Sequence, residues 1–253
     1  MANREVFKSV YRGRQGTLHH MAYMRMAKVL MTLHVLARAG VWLEGKSLFD
    51  YGFGAGTFFR YCPTTARLAG VEMDVVNVAA VSAGLRRRGF PNARLGVIQI
   101  EQWEQHPLLQ EAYDIFLCSH VLEHLPEPVA FLRRVRSSVK RDGVFVGLVP
   151  LNERRPNPHH DQICTQATIR GWLEQSGLTL RCYLEGDPYG YWIQPLFTSD
   201  TGLRHRLAQV ASLALGIPFT LAGHRVWAGL APAFAGLTCA KPTQAAFVAS
   251  LGE

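Results

Sequence analysis

Short apolar runs alternate with helical patterns along most of the chain, and this alternation is the feature that most constrains its fold. The runs that predict strands lie at 47–52, 67–74, 93–100, 113–119, 143–150, 178–185 and 244–251. The helical patterns lie at 18–39, 75–88, 128–140 and 165–177. Such alternation requires right-handed crossovers, which produce a parallel sheet covered by helices on both faces. Ligands of these sheets bind at the carboxyl ends of the strands, where the strand order reverses.

The chain divides into four parts. Residues 46–185 carry the alternation and predict a doubly wound α/β core, which 243–253 complete with a last strand. Residues 1–45 contain an amphipathic helix before the core, and 186–242 form an apolar helical insertion. We therefore expect a seven-stranded, mostly parallel sheet with an N-terminal helix and an insertion before the last strand.

The insertion contains an uncharged stretch from Leu207 to Gly223. Gly216 and Pro218 interrupt this stretch, and it is shorter than the about 20 residues that a bilayer-spanning helix needs. We therefore expect these residues to interrupt the stretch and expect that it does not cross a membrane.

The net charge and the cysteines indicate which partners and which cellular compartment the protein suits. The formal net charge is +8, and much of the excess lies in residues 1–46. A positive field attracts nucleic acid, anionic lipid and acidic substrates alike, and a solvated basic face is an equally good interpretation. The five cysteines are odd in number and widely scattered, and the start of the chain lacks the order of a signal peptide. Both features favour a reducing, cytoplasmic setting.

A glycine-rich turn follows the first strand, in the segment Asp50-Tyr51-Gly52-Phe53-Gly54-Ala55-Gly56-Thr57. Alternate glycines let the backbone turn sharply and approach a ligand closely. The nicotinamide fingerprint G-x-G-x-x-G would need glycine at position 57, where this chain has threonine. Glu72 closes the next strand twenty positions beyond Gly52, where a carboxylate can accept both ribose hydroxyls of an adenosine. The alternative is that Glu72 or Asp74 caps the following helix.

These motifs resemble those of the class I S-adenosylmethionine-dependent methyltransferases, especially the bacterial small-molecule group that includes the ubiquinone and menaquinone enzymes. DYGFGAGTFF is similar to their first motif and GVEMD to their second. The segment from 113 to 150, with SHVLEHLPEP at its centre, is similar to their signature between the fourth and fifth strands. The resemblance implies a Rossmann-like fold, S-adenosyl-L-methionine as methyl donor and S-adenosyl-L-homocysteine as product.

The resemblance also implies which residues contact the cofactor. The glycines would line its methionine part, Glu72 would hold the ribose, and Met73 and Ile100 would flank the adenine. Gln99 stands near the position where the family usually has an acid close to adenine N6. The implied cofactor residues are Asp50, Gly52, Gly54, Gly56, Glu72, Met73, Gln99, Ile100 and Ser119.

Three histidines are candidates for catalysis. Methyl transfer is an in-line displacement, so the protein supplies orientation, desolvation and, for some acceptors, a base. His120 follows strand four and is the best-placed base, with packing against the cofactor as an equal alternative. His159 and His160, with Asp161, follow strand five on the same edge and could contact the acceptor or act as a base. Adjacent loop histidines seldom share an ion and methyl transfer needs none, so we expect no metal.

The N-terminal helix and the insertion flank the expected site, as lids do in the resembling family. Their composition favours an apolar or aromatic small-molecule acceptor, methylated at oxygen, nitrogen or carbon, and leaves peripheral membrane contact open. An RNA methyltransferase is one alternative, supported by the charge, although the Asn/Asp-Pro-Pro-aromatic motif of amino-methylating enzymes is absent after strand four. A non-catalytic methyltransferase-like protein that binds partners or membranes is the other. The acceptor and the oligomeric state are not readable from these residues.

Overall fold

A computed structural model describes residues 20–152, 159–193 and 203–252, except for the side chains of 100–102 and 203–206. Seven strands form its central sheet. They are β1 Ser47–Tyr51, β2 Arg67–Glu72, β3 Arg94–Val97, β4 Tyr113–Ser119, β5 Val139–Pro150, β6 Leu178–Gly186 and β7 Gln244–Leu251. The main helices are α1 Tyr23–Arg38, α2 Val75–Arg87, α3 Pro128–Val135, α4 Gln166–Ser176 and α5 Leu203–Thr238.

The strand order is β3-β2-β1-β4-β5-β7-β6, and only β7 runs antiparallel to its neighbours. The order reverses between β1 and β4, so a crevice opens where these two strands end. The prediction of a doubly wound, mostly parallel, seven-stranded Rossmann-like sheet is confirmed.

Helices cover both faces of the sheet because successive strand residues point to opposite sides. Leu48 and Ile115 face the core that α1, α2 and α5 complete. Phe49 and Phe116 face the core that α3 and α4 complete. Strands buried on both faces explain why the sequence shows continuous apolar runs rather than alternation.

Local signals set the ends of two helices as predicted. The Asp74 carboxylate accepts a hydrogen bond from the Val76 N–H (2.8 Å) at the start of α2. Thr165 accepts one from the Thr168 N–H (3.1 Å) at the start of α4, and Gly177 ends that helix with φ of 72°. Each side chain satisfies a backbone donor that the helix leaves unpaired.

Three predicted strand boundaries are wrong. The second strand ends at Glu72 rather than 74, where the chain turns into α2. The third strand ends at Val97 rather than 100, because the chain enters a 3₁₀ helix at Ile100. The fifth strand begins at Val139, before the predicted turn at 141–143. A shift in the register between β4 and β5 accommodates these residues within the strand.

The predicted interruption at Gly216 and Pro218 is also wrong. Helix α5 continues through both residues, and its non-helical backbone lies at Gly223 (φ 79°, ψ 173°). Within the described part of the chain, Leu207–Thr238 is the one stretch long and apolar enough to cross a membrane by length and composition, and 22% of its most apolar window is buried. Its large exposed apolar side chains are Leu207, Val210, Leu215, Leu221, Val226, Leu230 and Leu237.

Candidate active site

The glycine turn follows β1 at the crevice. Gly52, Gly54 and Gly56 all have positive φ angles, of 73°, 54° and 67°. A Cβ atom at position 56 would lie 2.6 Å from Cγ1 of Val81, so glycine there lets α2 approach the turn. A Cβ atom at position 54 would meet nothing within 4 Å. The turn therefore leaves open space beside Gly54, where β1 ends.

Glu72, at the end of β2, holds this turn in place. One carboxylate oxygen accepts the Gly54 N–H (2.8 Å), and the other accepts the N–H groups of Met73 (2.8 Å) and Asp74 (3.3 Å). Burial raises the pKa of Glu72, and these backbone donors oppose that rise. Asp74 alone caps α2, so the capping alternative is correct for Asp74 and not for Glu72.

Asp50 is a buried carboxyl group within β1, directly before the turn. Burial, with the nearby Glu72 as the second cause, raises the pKa of Asp50 to about 8. Its Oδ1 atom has no hydrogen-bond partner among the described residues. A buried, unpartnered carboxyl oxygen is costly unless a donor or cation reaches it.

His120 follows β4 on the other side of the crevice. Its backbone has φ of 55°, a conformation that is costly for a side chain with Cβ and is found preferentially at functional sites. One ring nitrogen, Nε2, lies 3.2 Å from Gln244 Oε1, and the other, Nδ1, lies 3.2 Å from Glu123 Oε1. Both ring nitrogens therefore face polar groups of the protein.

The ionisable groups of His120, Glu123 and Lys28 lie close enough to influence one another's pKa. Burial, assisted by the charge of Lys28, lowers the pKa of His120. Burial raises the pKa of Glu123. The contact with His120 and the charge of that ring lower the pKa by more, so the pKa of Glu123 lies below its usual value. Burial also lowers the pKa of Lys28, on α1, to about 8. The ionised Glu123 carboxylate therefore interacts with two basic groups, His120 and Lys28, and the pKa of each is lower than usual.

A family model described as a methyltransferase domain matches residues 20–183, well over half of the chain. The chain belongs to that family. The match includes the glycine turn, Glu72 and His120, which the structure brings to one edge of the sheet. The recognition of a class I S-adenosylmethionine-dependent methyltransferase from its motifs is confirmed.

Curated relatives share this methyltransferase chemistry. The ubiquinone biosynthesis O-methyltransferase of Sodalis glossinidius is 26% identical over 180 residues, which cover 64% of this chain and 68% of that protein. The protein of the same name from Pseudomonas savastanoi pv. phaseolicola is 24% identical over 191 residues, which cover 66% and 79% of the two chains.

Solved structures share the fold. Coclaurine N-methyltransferase, bound to N-methylheliamine and S-adenosylhomocysteine, has a TM-score of 0.62 at 14% identity, covering 97% of this chain and 82% of that one. The 1,6-didemethyltoxoflavin-N1-methyltransferase of Burkholderia thailandensis has a TM-score of 0.59 at 14% identity, covering 99% and 88%. The protein is an S-adenosylmethionine-dependent methyltransferase.

The residues around the turn fit this cofactor. The methionine part of the cofactor carries an ammonium group. This group can donate a hydrogen bond to Oδ1 of Asp50, which has no partner among the described residues. The open space beside Gly54 admits a ligand against the backbone. Glu72 presents a carboxylate at the end of β2, next to that space, as the ribose hydroxyls require. The geometry of these three residues fits the cofactor, and their contacts with it stay predictions.

The other predicted cofactor residues lie around the same edge. Ser119 ends β4. Met73 follows β2 and packs against the core of α3 and α4. Gln99 is exposed and lies two residues beyond the end of β3. The backbone of Ile100 begins a 3₁₀ helix, while its side chain lies outside the described part. The contacts of these residues with the cofactor stay predictions.

His159 and His160 lie against His124 rather than His120. The His159 carbonyl oxygen lies 2.9 Å from Nδ1 of His124, and the rings of His124 and His160 meet edge to face with centroids 4.7 Å apart. Ligand-type atoms of Glu123, His124 and His160 lie within 4.8 Å of one another. Polar groups of this kind also cluster without an ion and methyl transfer needs none, so we assign no metal here. Roles for His159 and His160 in acceptor contact or catalysis stay predictions.

Sequence reasoning did not single out several polar residues near His120. They are Lys28, Glu123, Asp187 and Gln244. Glu123 lies inside the matched motif, and its carboxylate is fully buried, at 0% exposure. The burial marks the residue, but only the folded structure shows it. The others come from α1, the loop after β6 and the start of β7, and only the sheet brings them together.

Proposed function

We propose that this methyltransferase transfers the methyl group to a hydroxyl oxygen of an apolar, aromatic small molecule, and that α1 and α5 act as lids over the acceptor. The observation that carries this proposal is a cluster of aromatic rings between these helices, joined by hydrogen bonds to the His120 side of the cofactor site. The O-methyltransferase names of the curated relatives support oxygen as the acceptor atom.

The aromatic cluster is built from α1, α5 and the loop after β6. Tyr189 lies at its centre, with ring centroids 4.5 Å from Phe234, 5.0 Å from Phe219 and 6.0 Å from Tyr23. Trp227 is 1% exposed, and its indole N–H donates to the Tyr23 hydroxyl (3.0 Å). Tyr23, Tyr189 and Trp227 are buried beneath the two helices, so the half-buried rings of Phe219 and Phe234 are the members that can contact a ligand. Aromatic rings offer stacking and edge contacts to a planar ring and few partners to a sugar.

S-adenosylmethionine supplies an activated methyl group on its sulfonium, so the chain's task is alignment, exclusion of water and removal of one proton. When the acceptor oxygen forms its bond to the methyl carbon, the sulfur–methyl bond breaks and its electron pair stays on sulfur. The hydroxyl proton needs a base, and we assign this role to His120. Its lowered pKa favours the unprotonated ring at neutral pH, which is the form that can accept a proton.

Transfer of a labelled methyl group tests the proposal. The purified protein is incubated with methyl-labelled S-adenosylmethionine and four acceptor sets: apolar phenols, the matching anilines, sugars and bulk RNA. We expect label in the phenols, with kcat/KM rising as apolar substituents are added to the ring.

The matched anilines separate oxygen from nitrogen as the acceptor atom. Label confined to the anilines would contradict oxygen methylation, and label in sugars or RNA would contradict the apolar acceptor. His120→Ala is expected to lower kcat by roughly 100-fold, the usual contribution of a general base. Its affinity for S-adenosylmethionine should change much less, and an equal loss of both would assign His120 to the cofactor alone.

A further inference from the structure

The outward side of helix α5 is apolar before its non-helical residue, Gly223. Leu207, Val210 and Leu221 are 59%, 64% and 81% exposed. Val210 and Leu221 are separated by about three helical turns, so they lie on the same side of the helix. Single exposed apolar side chains are common on protein surfaces, whereas a continuous apolar surface marks an interaction site.

The part of α5 beyond Gly223 continues in the same way. Val226, Leu230 and Leu237 are 46%, 52% and 87% exposed. Val226 lies about one turn from Leu230 and about three turns from Leu237, so these three side chains also share one side. Among the side chains of α5 that the structure describes, 207–238, Arg225 is the one that carries a formal charge. Each part of the helix therefore exposes an apolar stripe.

The inward side of α5 is fixed to the core of the protein. Ala208 and Trp227 are each 1% exposed. The Trp227 indole N–H donates to the Tyr23 hydroxyl (3.0 Å), and that hydroxyl donates to the buried carboxylate of Asp187. Asp187 also accepts from the Gln244 amide (2.7 Å) at the start of β7. A helix that crossed a bilayer would give up these contacts, so α5 suits a position along a surface rather than across it.

The helices on this face of the sheet, α1, α2 and α5, contain no acidic residue. The nearest acids along the chain are Asp74, which caps α2, and Glu44, in the loop before β1. Of the basic residues, Arg38 and Arg225 are exposed on α1 and α5. Anionic headgroups attract arginine, and the acyl chains beneath them accept apolar side chains. The full set of basic residues in the three helices is Arg25, Lys28, Arg38, Arg86, Arg87, Arg204, Arg206 and Arg225.

An exposed tryptophan lies beside α5. Trp42, in the loop after α1, is 60% exposed and lines one surface cavity with Arg60 and with His224 of α5. Tryptophan is enriched where a membrane meets water, because its ring is apolar and its N–H is polar. Trp42 therefore adds an interfacial side chain to the same surface.

We propose that α5 binds along the surface of an anionic membrane, with its apolar stripes among the upper acyl chains and with Arg38 and Arg225 at the headgroups. This inference goes beyond the proposed function and does not depend on the acceptor. An acceptor as apolar as the proposed one would dissolve in the same membrane, so binding there would bring the lid helix to it.

Flotation of the full-length protein with lipid vesicles tests the proposal. One set of vesicles is phosphatidylcholine alone, and the other contains about 30% phosphatidylglycerol, which supplies the negative surface. We expect binding to the anionic set to be roughly tenfold stronger or more. That binding should weaken when the salt concentration rises from about 0.1 M to about 0.5 M, because salt screens the headgroup charge.

Leu221→Glu and Leu237→Glu test the two apolar stripes. Each change should weaken binding to anionic vesicles by roughly tenfold or more, because an inserted leucine is lost and a like charge is added. Ile163→Glu is the matched control. Ile163 is 87% exposed, as Leu237 is, but it precedes α4 on the other face of the sheet. This change should alter vesicle binding by less than about twofold.

Arg38→Gln and Arg225→Gln test the charge. Each should weaken binding to anionic vesicles by about fivefold and leave binding to phosphatidylcholine unchanged. Circular dichroism and the affinity for S-adenosylmethionine should match the wild type in every variant, since all of the altered side chains are exposed.

Four results would overturn the inference. The first two are a wild-type protein that does not float with anionic vesicles, and Leu221→Glu and Leu237→Glu variants that bind as Ile163→Glu does. A lipid-free dimer in sedimentation equilibrium that Leu237→Glu dissociates would assign the stripe to a second copy of the chain. Bound protein that resists alkaline carbonate would indicate a spanning helix. Vesicle binding needs no acceptor, so binding as expected with no phenol methylated would reject the proposed function alone.

Discussion

At the scale of single residues, the carboxyl group of Asp50 is expected to make cofactor binding depend on pH. Its pKa of about 8 in the unliganded protein means that the carboxyl group is largely protonated at pH 7. The raised pKa favours the folded state below the unfolded value of about 4, and this contribution is lost as the pH rises through 8. An ammonium group placed beside Oδ1 would favour the ionised form and release the proton.

We therefore predict that binding of S-adenosylmethionine at pH 7 releases close to one proton per chain. Calorimetric titration in two buffers of different ionisation enthalpy measures that number directly. Asp50→Asn should abolish the release and weaken binding by about tenfold or more, since a charge-assisted hydrogen bond is lost. Proton-neutral binding by the wild type would contradict the assignment of Asp50 to the ammonium group.

Residue identities alone predicted that the glycine turn and Glu72 lie together at one edge of the sheet. Gly54 and Glu72 belong to motifs whose spacing fixes their place on a sheet edge, and the N–H of one donates to the carboxylate of the other. The contact between His120 and Gln244 joins residues 124 positions apart. Its existence depends on the register of β7 between β5 and β6, which no local pattern of the sequence encodes.

At the scale of elements, the contact between α1 and α5 decides how the two helices lie over the sheet. Gly216 lets α5 approach the start of α1, since a Cβ atom there would lie 1.9 Å from the Met21 carbonyl oxygen and 2.8 Å from the Tyr23 nitrogen. The helix also continues through Pro218, two residues further along, which the sequence pattern did not predict. The cost of about 3 kcal/mol for proline inside a helix is offset by packing that the sequence pattern does not show.

We predict that Gly216→Ala lowers the free energy of unfolding by about 2 kcal/mol and raises KM for the acceptor. Backbone atoms cannot give way as a flexible side chain can, so the two helices must separate. Gly229→Ala is the control on the same helix, because its Cβ atom would meet nothing within 4 Å. That change should stabilise the protein by up to about 1 kcal/mol through helix propensity. Equal effects of the two changes in urea unfolding would contradict close packing at Gly216.

At the scale of the whole molecule, the fold followed from the alternation of strands and helices, because parallel sheets with right-handed crossovers allow few topologies. The sequence misplaced the ends of β3 and β5, where a 3₁₀ helix and a shift in register depend on neighbouring strands. The network of Tyr23, Asp187 and Gln244 joins segments separated by 164 and 57 residues, so only the assembled sheet reveals it.

The central claim is that the turn at Gly54 forms the methionine end of an S-adenosylmethionine site. Calorimetric titration of the wild type, Gly54→Arg and Gly45→Arg with S-adenosylmethionine and its demethylated product tests it most directly. Gly45 has φ of 70° and open space around its Cβ position, like Gly54, but lies in the turn before β1, so both changes impose similar backbone strain. We predict saturable binding by the wild type and Gly45→Arg, and none by a folded Gly54→Arg. Wild-type affinity in Gly54→Arg, or no binding by the wild type at millimolar ligand, would contradict the claim.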